Sequence, residues 1–194
     1  NAYINGLEKL HANGGDLSKV SSVASFFVSR VDGKTDAALE AKGNKDLQGK
    51  IAVANAKLAY ARFEELFSGE RWEKLAQAGA NVQRPLWAST STKNPEYQDT
   101  LYVDTLIGPH TVNTVPQETL DALQDHVTLA RTVDQGVDEA RQQVAKLAEL
   151  GIDFDAITED LQEDGVKKFA QSFETLMAGI TEKTTKLKDS SYAG

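Results

Sequence analysis

Val20-Ser21-Ser22-Val23-Ala24-Ser25-Phe26-Phe27-Val28-Ser29-Arg30 and Gln83-Arg84-Pro85-Leu86-Trp87-Ala88-Ser89-Thr90 are the stretches that decide the fold. Each is a short run dominated by apolar residues, and the small polar residues of the first can face inward; both predict buried strands. Pro85 sits near the start of the second run, where a missing N–H is tolerated. His110-Thr111-Val112-Asn113-Thr114 predicts a third, shorter strand. Helical patterns separate the three. Buried strands alternating with helices imply parallel pairing through right-handed crossovers, an α/β fold.

The helices follow from spacing and punctuation. Ile4, Leu7 and Leu10 mark one face of a helix over 2–12, which Asn13-Gly14-Gly15 stops. Residues 31–49 are polar and charged, with a short helical stretch expected near 36–41. Ile51, Ala54, Leu58, Ala59, Phe63, Leu66 and Phe67 define a helix over 50–67. A second helix, over 70–78, carries Trp72 and Leu75, and a short one is expected over 100–106. Thr114 followed by Gln117 suggests a capping box opening a helix that runs to 126. A helix over 137–150 is closed by Gly151. Val166, Phe169, Phe173, Leu176 and Ile180 alternate steps of three and four, which predicts a long amphipathic helix with one buried face. The polar tail, 183–194, is expected to fray.

The chain has 194 residues, 40% hydrophobic and 26% charged, which suits one soluble globular domain rather than a disordered segment. With no cysteine, disulfides, thiolate nucleophiles and thiolate-bound metals are excluded; a reducing cytosol is compatible. A net charge of −8 argues against nucleic-acid binding but leaves room for a small anion held by one or two local cations. No apolar run has membrane-spanning length, and the first residues lack the regions of a signal peptide. The only methionine is Met177, so the chain is expected to begin within a longer protein.

In parallel α/β barrels the chemistry gathers at the C-terminal strand ends. Here those ends read Ser25 to Arg30, Ala88-Ser89-Thr90-Ser91-Thr92-Lys93-Asn94, and Thr111 to Thr114: hydroxyls leading to cations. Arg30 can grip a phosphate with a bidentate fork, and Ser89, Ser91 and nearby N–H groups can complete the shell. Each residue also has an ordinary role: Arg30 in a surface ion pair, the serines in turns or caps, Phe26 and Phe27 in packing. Lys93 reads either as a solvated loop lysine, the commoner state, or as a desolvated amine able to form a Schiff base. His11, His110 and His126 lack metal-ligand spacing.

These motifs, taken together, resemble the transaldolases. Val23 to Asp32 is similar to the family's sixth barrel strand, and Gly49-Lys50-Ile51-Ala52-Val53-Ala54-Asn55-Ala56-Lys57-Leu58-Ala59-Tyr60 to the helix after it. Gln83 to Pro95 resembles the seventh-strand motif, and Tyr102-Val103 through Val115-Pro116 the eighth strand and its approach. The likeness covers nearly the whole chain and is closest to the longer actinobacterial or cyanobacterial type. It implies the C-terminal part, strands six to eight with flanking helices, of a single (β/α)8 TIM-barrel domain. It implies a cytoplasmic enzyme of the pentose phosphate pathway that moves a dihydroxyacetone unit between sugar phosphates through a lysine Schiff base, with no metal or organic cofactor. Carried over by position, Ser25 would meet substrate hydroxyls, Phe27 would shape the pocket, and Arg30 and Ser89 would bind phosphate.

Two departures bear on function. Several relatives carry Ser-Phe-Arg where this chain has Ser89-Thr90-Ser91, so Ser91 or Lys93 is expected to stand in for a second phosphate-binding arginine. The family's Schiff-base lysine lies on the fourth strand, and strands one to five have no counterpart here, so no catalytic residue is expected in this chain. Three strands cannot close an eight-stranded barrel. The implied partners are sugar phosphates and the missing N-terminal half, with no nucleic acid and no membrane; alone the chain is expected to be inactive. Two alternatives stay open, a noncatalytic binding or complementation module and another Schiff-base aldolase on the same barrel.

Overall fold

In the computed structural model, which describes residues 1–191, the two apolar stretches lie side by side as parallel strands β1 (Ser22–Phe27) and β2 (Gln83–Ala88). Their register runs from Ser22 opposite Gln83 to Phe27 opposite Ala88. A third strand, β3 (Val112–Asn113), pairs in parallel with Leu86 and Trp87 on the other side of β2. The order β1-β2-β3 is that of an α/β sheet grown by crossovers.

Successive side chains of a strand point to opposite faces, and β2 reads that alternation in its burial. Pro85 and Trp87 are buried, whereas Arg84 is exposed and Leu86 and Ala88 are half-buried. The Trp87 indole is fully enclosed, donates to the Leu106 carbonyl at 3.1 Å and meets the edge of Phe26, with ring centroids 5.8 Å apart. The opposite face is open at β1, where Val23 and Ser25 are exposed, Val23 at 40%; Ala24, beside Pro85 on the Trp87 face, is exposed at this edge as well. The buried strand expected there is thus an edge strand whose outer neighbour does not come from the described residues. An apolar run records what a strand can bury, not which chain covers it.

The helices are α1 (Ala2–Ala12), α2 (Ser29–Ala41), α3 (Ile51–Leu66), α4 (Gly69–Gln77), α5 (Leu101–Asp104), α6 (Gln117–His126), α7 (Val137–Glu149) and α8 (Phe154–Ser191). A single 3-10 turn, Leu17–Lys19, links α1 to β1, and Leu17 joins Ile4, Leu7, Trp72 and Leu75 in a core between α1 and α4. No helix among the described residues is long and apolar enough to cross a membrane.

Several boundaries differ from expectation for definable reasons. α2 takes in Ser29 and Arg30, read as strand, and far exceeds the short stretch expected near 36–41. Its buried Val31, Thr35 and Leu39 recur every four residues, a helix face hidden among charged neighbours, and Thr35 silences its hydroxyl on the Val31 carbonyl at 3.0 Å. The expected capping box does not form. The Thr114 N–H extends the sheet by donating to Trp87 at 3.0 Å, α6 starts after Pro116 without a side-chain cap, and Gln117 donates to Asp121 instead. β3 is shorter than the run that suggested it.

The chain divides into two compact units, residues 1–154 and a second beginning at Asp155. Helix α8 carries the predicted stripe, but the stripe is not buried: Val166 is 68% exposed, Phe173 64% and Ile180 50%. A 3–4 pattern shows that a helix has an apolar face, not how deeply that face is buried. α8 continues into the polar tail, where the hydroxyls of Thr181, Thr184 and Thr185 donate to carbonyls four residues back. Residues 192–194 of that tail lie outside the described residues.

One turn limits how α2 joins α3. Gly49 adopts φ +70°, donates its N–H to Asp36 Oδ1 at 3.0 Å, and would place a Cβ 2.8 Å from the Tyr97 ring. Replacing it by alanine is expected to cost about 1–2 kcal/mol through left-handed strain. Thermal unfolding of Gly49→Ala should show a lower Tm; an unchanged Tm would contradict the strain.

Candidate functional site

Parallel pairing brings the C-terminal ends of all three strands to one edge, and the ladder continues past them. Val28 N–H donates to Ala88 O and Ser29 N–H to Ser89 O, both at 2.9 Å. The hydroxyls of Ser29 and Ser89 then meet at 2.8 Å. Ser89 holds φ +55°, a left-handed backbone uncommon for a residue with a Cβ. Across β2, the buried Thr90 hydroxyl lies 2.8 Å from Asn113 Oδ1 and 3.2 Å from the Thr114 carbonyl. The strand ends are thereby stitched together by side chains as well as backbone.

Arg30 stands in the first turn of α2, its guanidinium 4.4 Å from the centroid of the Phe27 ring. That cation–π contact restrains a long side chain without satisfying its charge. Among the described residues no carboxylate pairs with Arg30, although acidic residues outnumber basic ones 29 to 21. The start of α2 also lacks a side-chain cap, so its first turn presents the partial positive charge of a helix N-terminus beside the guanidinium.

The acid nearest in sequence is turned away. Asp32 is 2% exposed and accepts hydrogen bonds from Ala52 N–H and the Tyr102 hydroxyl, each at 2.7 Å. Asp36 accepts from the Tyr97 hydroxyl at 2.6 Å. Together these bonds fasten α2 to the start of α3, to α5 and to the loop before it. Burial pushes the Asp32 carboxyl up to about 6, despite the opposing pull of those two donors. The hydroxyls of Tyr97 and Tyr102 are pushed well above the ordinary phenol range, by their own burial first and then by the aspartates they bind.

The other expected residues occupy the same edge or the open face. Ser25 is exposed on β1, opposite Leu86, on the same face as Phe27. Ser91 and Lys93 lie on the loop after β2; Lys93 is exposed and its ammonium donates to the Ser91 hydroxyl at 2.9 Å. The structure thus joins Phe27 to Arg30, Ser29 to Ser89 and Ser91 to Lys93. Ser29, Thr90, Asn113, Asp32 and Tyr102 enter the site without having been singled out. For Ser29 and Asn113 their position at a strand end was an available signal. Asp32 gave none, since its partners lie 20 and 70 positions away.

A family model described as transaldolase/fructose-6-phosphate aldolase matches residues 5–180. A transaldolase of Mycolicibacterium smegmatis is 51% identical over 180 residues, covering 91% of this chain and 48% of the relative. Transaldolase 1 of Streptomyces avermitilis is 49% identical, with 92% and 48% covered. Transaldolase 2 of Nostoc sp. is 47% identical, with 92% and 51% covered. The chain spans about half the length of these relatives and matches their C-terminal portion.

Asp32 makes a specific pH signature. Its folded value lies above the ordinary 3.8, so what it adds to stability is fully present below 3.8 and is lost as pH climbs through about 6. The difference in Tm between the unsubstituted chain and Asp32→Asn should fall across that window and level off above it. A difference independent of pH would contradict the buried titration. Tyr102→Phe, which leaves the carboxylate one donor short, should cost about 1–3 kcal/mol in the same melts.

Proposed function

Because this chain belongs to the transaldolase/fructose-6-phosphate aldolase family, we propose that it supplies the phosphate-binding side of a transaldolase centre. In this reading the N-terminal half contributes the lysine that forms a Schiff base with a ketose phosphate. The two halves together transfer a dihydroxyacetone unit to an aldose phosphate.

The observation that carries the reading is Arg30: a guanidinium held over Phe27 at the C-terminal strand edge, unpaired by any carboxylate among the described residues, beside an uncapped helix N-terminus. A phosphate there would gain a bidentate fork, helix N–H groups and the Ser89 hydroxyl, whose position is set by Ser29. Ser25 and Phe27 share the open face and would line the sugar's path. Ser91 and Lys93, hydrogen-bonded to each other on the loop beyond β2, would act as a unit and stand in for a second arginine. The exposure of Lys93 supports a charge-donating role over a Schiff-base role, which needs an amine desolvated or otherwise activated. The three-stranded sheet with one open face supports a barrel completed by strands other than the described ones.

Two experiments test this. Incubated alone with fructose 6-phosphate and borohydride, the chain should acquire no covalent adduct; an adduct on Lys93 would overturn the division of labour. Co-expressed with the N-terminal half of the M. smegmatis relative, it should support transfer. In that assembly Arg30→Ala should raise KM for sugar phosphates roughly 10–100-fold, with a smaller change in kcat. An unchanged KM would remove Arg30 from the phosphate site.

A further inference from the structure

Ser91 and Lys93 sit on the connection between β2 and α5, residues 89–100, which has no helix or strand of its own. Lys93 is exposed and carries its charge on a long, flexible stem. On an irregular connection such a charge keeps its place only if the backbone beneath it is held by the scaffold.

The backbone is held at Tyr97. A turn begins at Asn94, the residue after Lys93. The Glu96 N–H donates to Asn94 Oδ1 at 3.0 Å and the Tyr97 N–H to the Asn94 carbonyl at 3.1 Å. The half-buried Tyr97 side chain then leaves the connection, and its hydroxyl donates to Asp36 Oδ2 of α2 at 2.6 Å. Asp36 Oδ1 accepts from the Gly49 N–H at 3.0 Å, and the Tyr97 ring lies directly over Gly49. Ring and hydroxyl are thus both seated. The connection also starts against α2, where the Ser89 hydroxyl meets that of Ser29. It therefore forms an arch with a tie to α2 at each foot, and Ser91 and Lys93 fall between the ties. The same helix carries Arg30 in its first turn.

We propose that Tyr97 is a positioning residue for sugar-phosphate binding: its bond to Asp36 fixes the arch that bears Ser91 and Lys93 against the helix that bears Arg30. The proposal rests on the reading of Arg30, Ser91 and Lys93 as phosphate ligands. Tyr97 acts through Ser91 and Lys93 rather than by touching substrate. Its contribution is preorganisation, since an arch fixed at both feet has less freedom to lose when an anion binds.

Tyr97→Phe tests this, because it keeps the ring over Gly49 and removes only the hydroxyl bond; circular dichroism of the chain checks the fold. In the chain alone, amide exchange at Glu96 and Tyr97 should quicken roughly tenfold or more. Unchanged exchange would show an arch not held by the hydroxyl and overturn the proposal. In the chain co-expressed with the N-terminal half of the M. smegmatis relative, Tyr97→Phe should raise KM for fructose 6-phosphate roughly three- to tenfold, with a smaller change in kcat. In a Ser91→Ala, Lys93→Met background the same substitution should add less than about twofold, because the groups it positions are gone. An equal rise in both backgrounds would make Tyr97 a structural tie alone and overturn the positioning role. An unchanged KM, where Arg30→Ala raises it, would overturn that role and leave the phosphate site standing. If Arg30→Ala also leaves KM unchanged, the phosphate site falls and the role of Tyr97 falls with it.

Discussion

Everything at the site depends on the parallel ladder between β1 and β2. Six residues pair in one register, and two further backbone bonds carry it past the strand ends. Those two bonds bring Ser29 against Ser89 and start α2 where it does, so that Arg30 falls in a first helical turn at the sheet's C-terminal edge. A register shift of one residue would send Ser25 and Phe27 to the other face and separate the two serines. Trp87 guards against this from the covered face, where its ring is enclosed and its N–H is committed to Leu106.

The same sheet explains why the chain reads as part of a larger fold. A parallel sheet is stable when both faces are covered, and here Pro85 and Trp87 are covered while Val23 and Ser25, on the other face, are open. The exposed stripe on α8 repeats the theme in a different element. Ser25 and Phe27, the β1 residues named for the candidate site, share the open face.

What the sequence could reveal followed the reach of each signal. The two strands and α1, α3, α4 and α7 rest on local periodicity and glycine stops, and they lie within a few residues of where those signals put them. α2 was under-read because Val31, Thr35 and Leu39 are diluted by charged neighbours. Burial of β1 and α8 was over-read, since an apolar pattern says that a face can be covered and not that it is. For the candidate site, Arg30 and Ser89 could be nominated from their place at strand ends. The Asp32–Tyr102 clamp was not, because a hydrogen bond across 70 positions leaves no local trace. Its physical role is plain once seen: it commits the acid nearest to Arg30 in sequence to other partners and anchors the helix that carries both.

The central claim is that Arg30 is kept free of carboxylates to hold a phosphate. The most direct measurement is a crystal structure of the chain assembled with an N-terminal half and soaked with fructose 6-phosphate. The expected result is a phosphate group on the Arg30 guanidinium, within reach of the Ser89 hydroxyl and the first turn of α2. A phosphate bound elsewhere, with Arg30 drawn into an ion pair across the new interface, would contradict it.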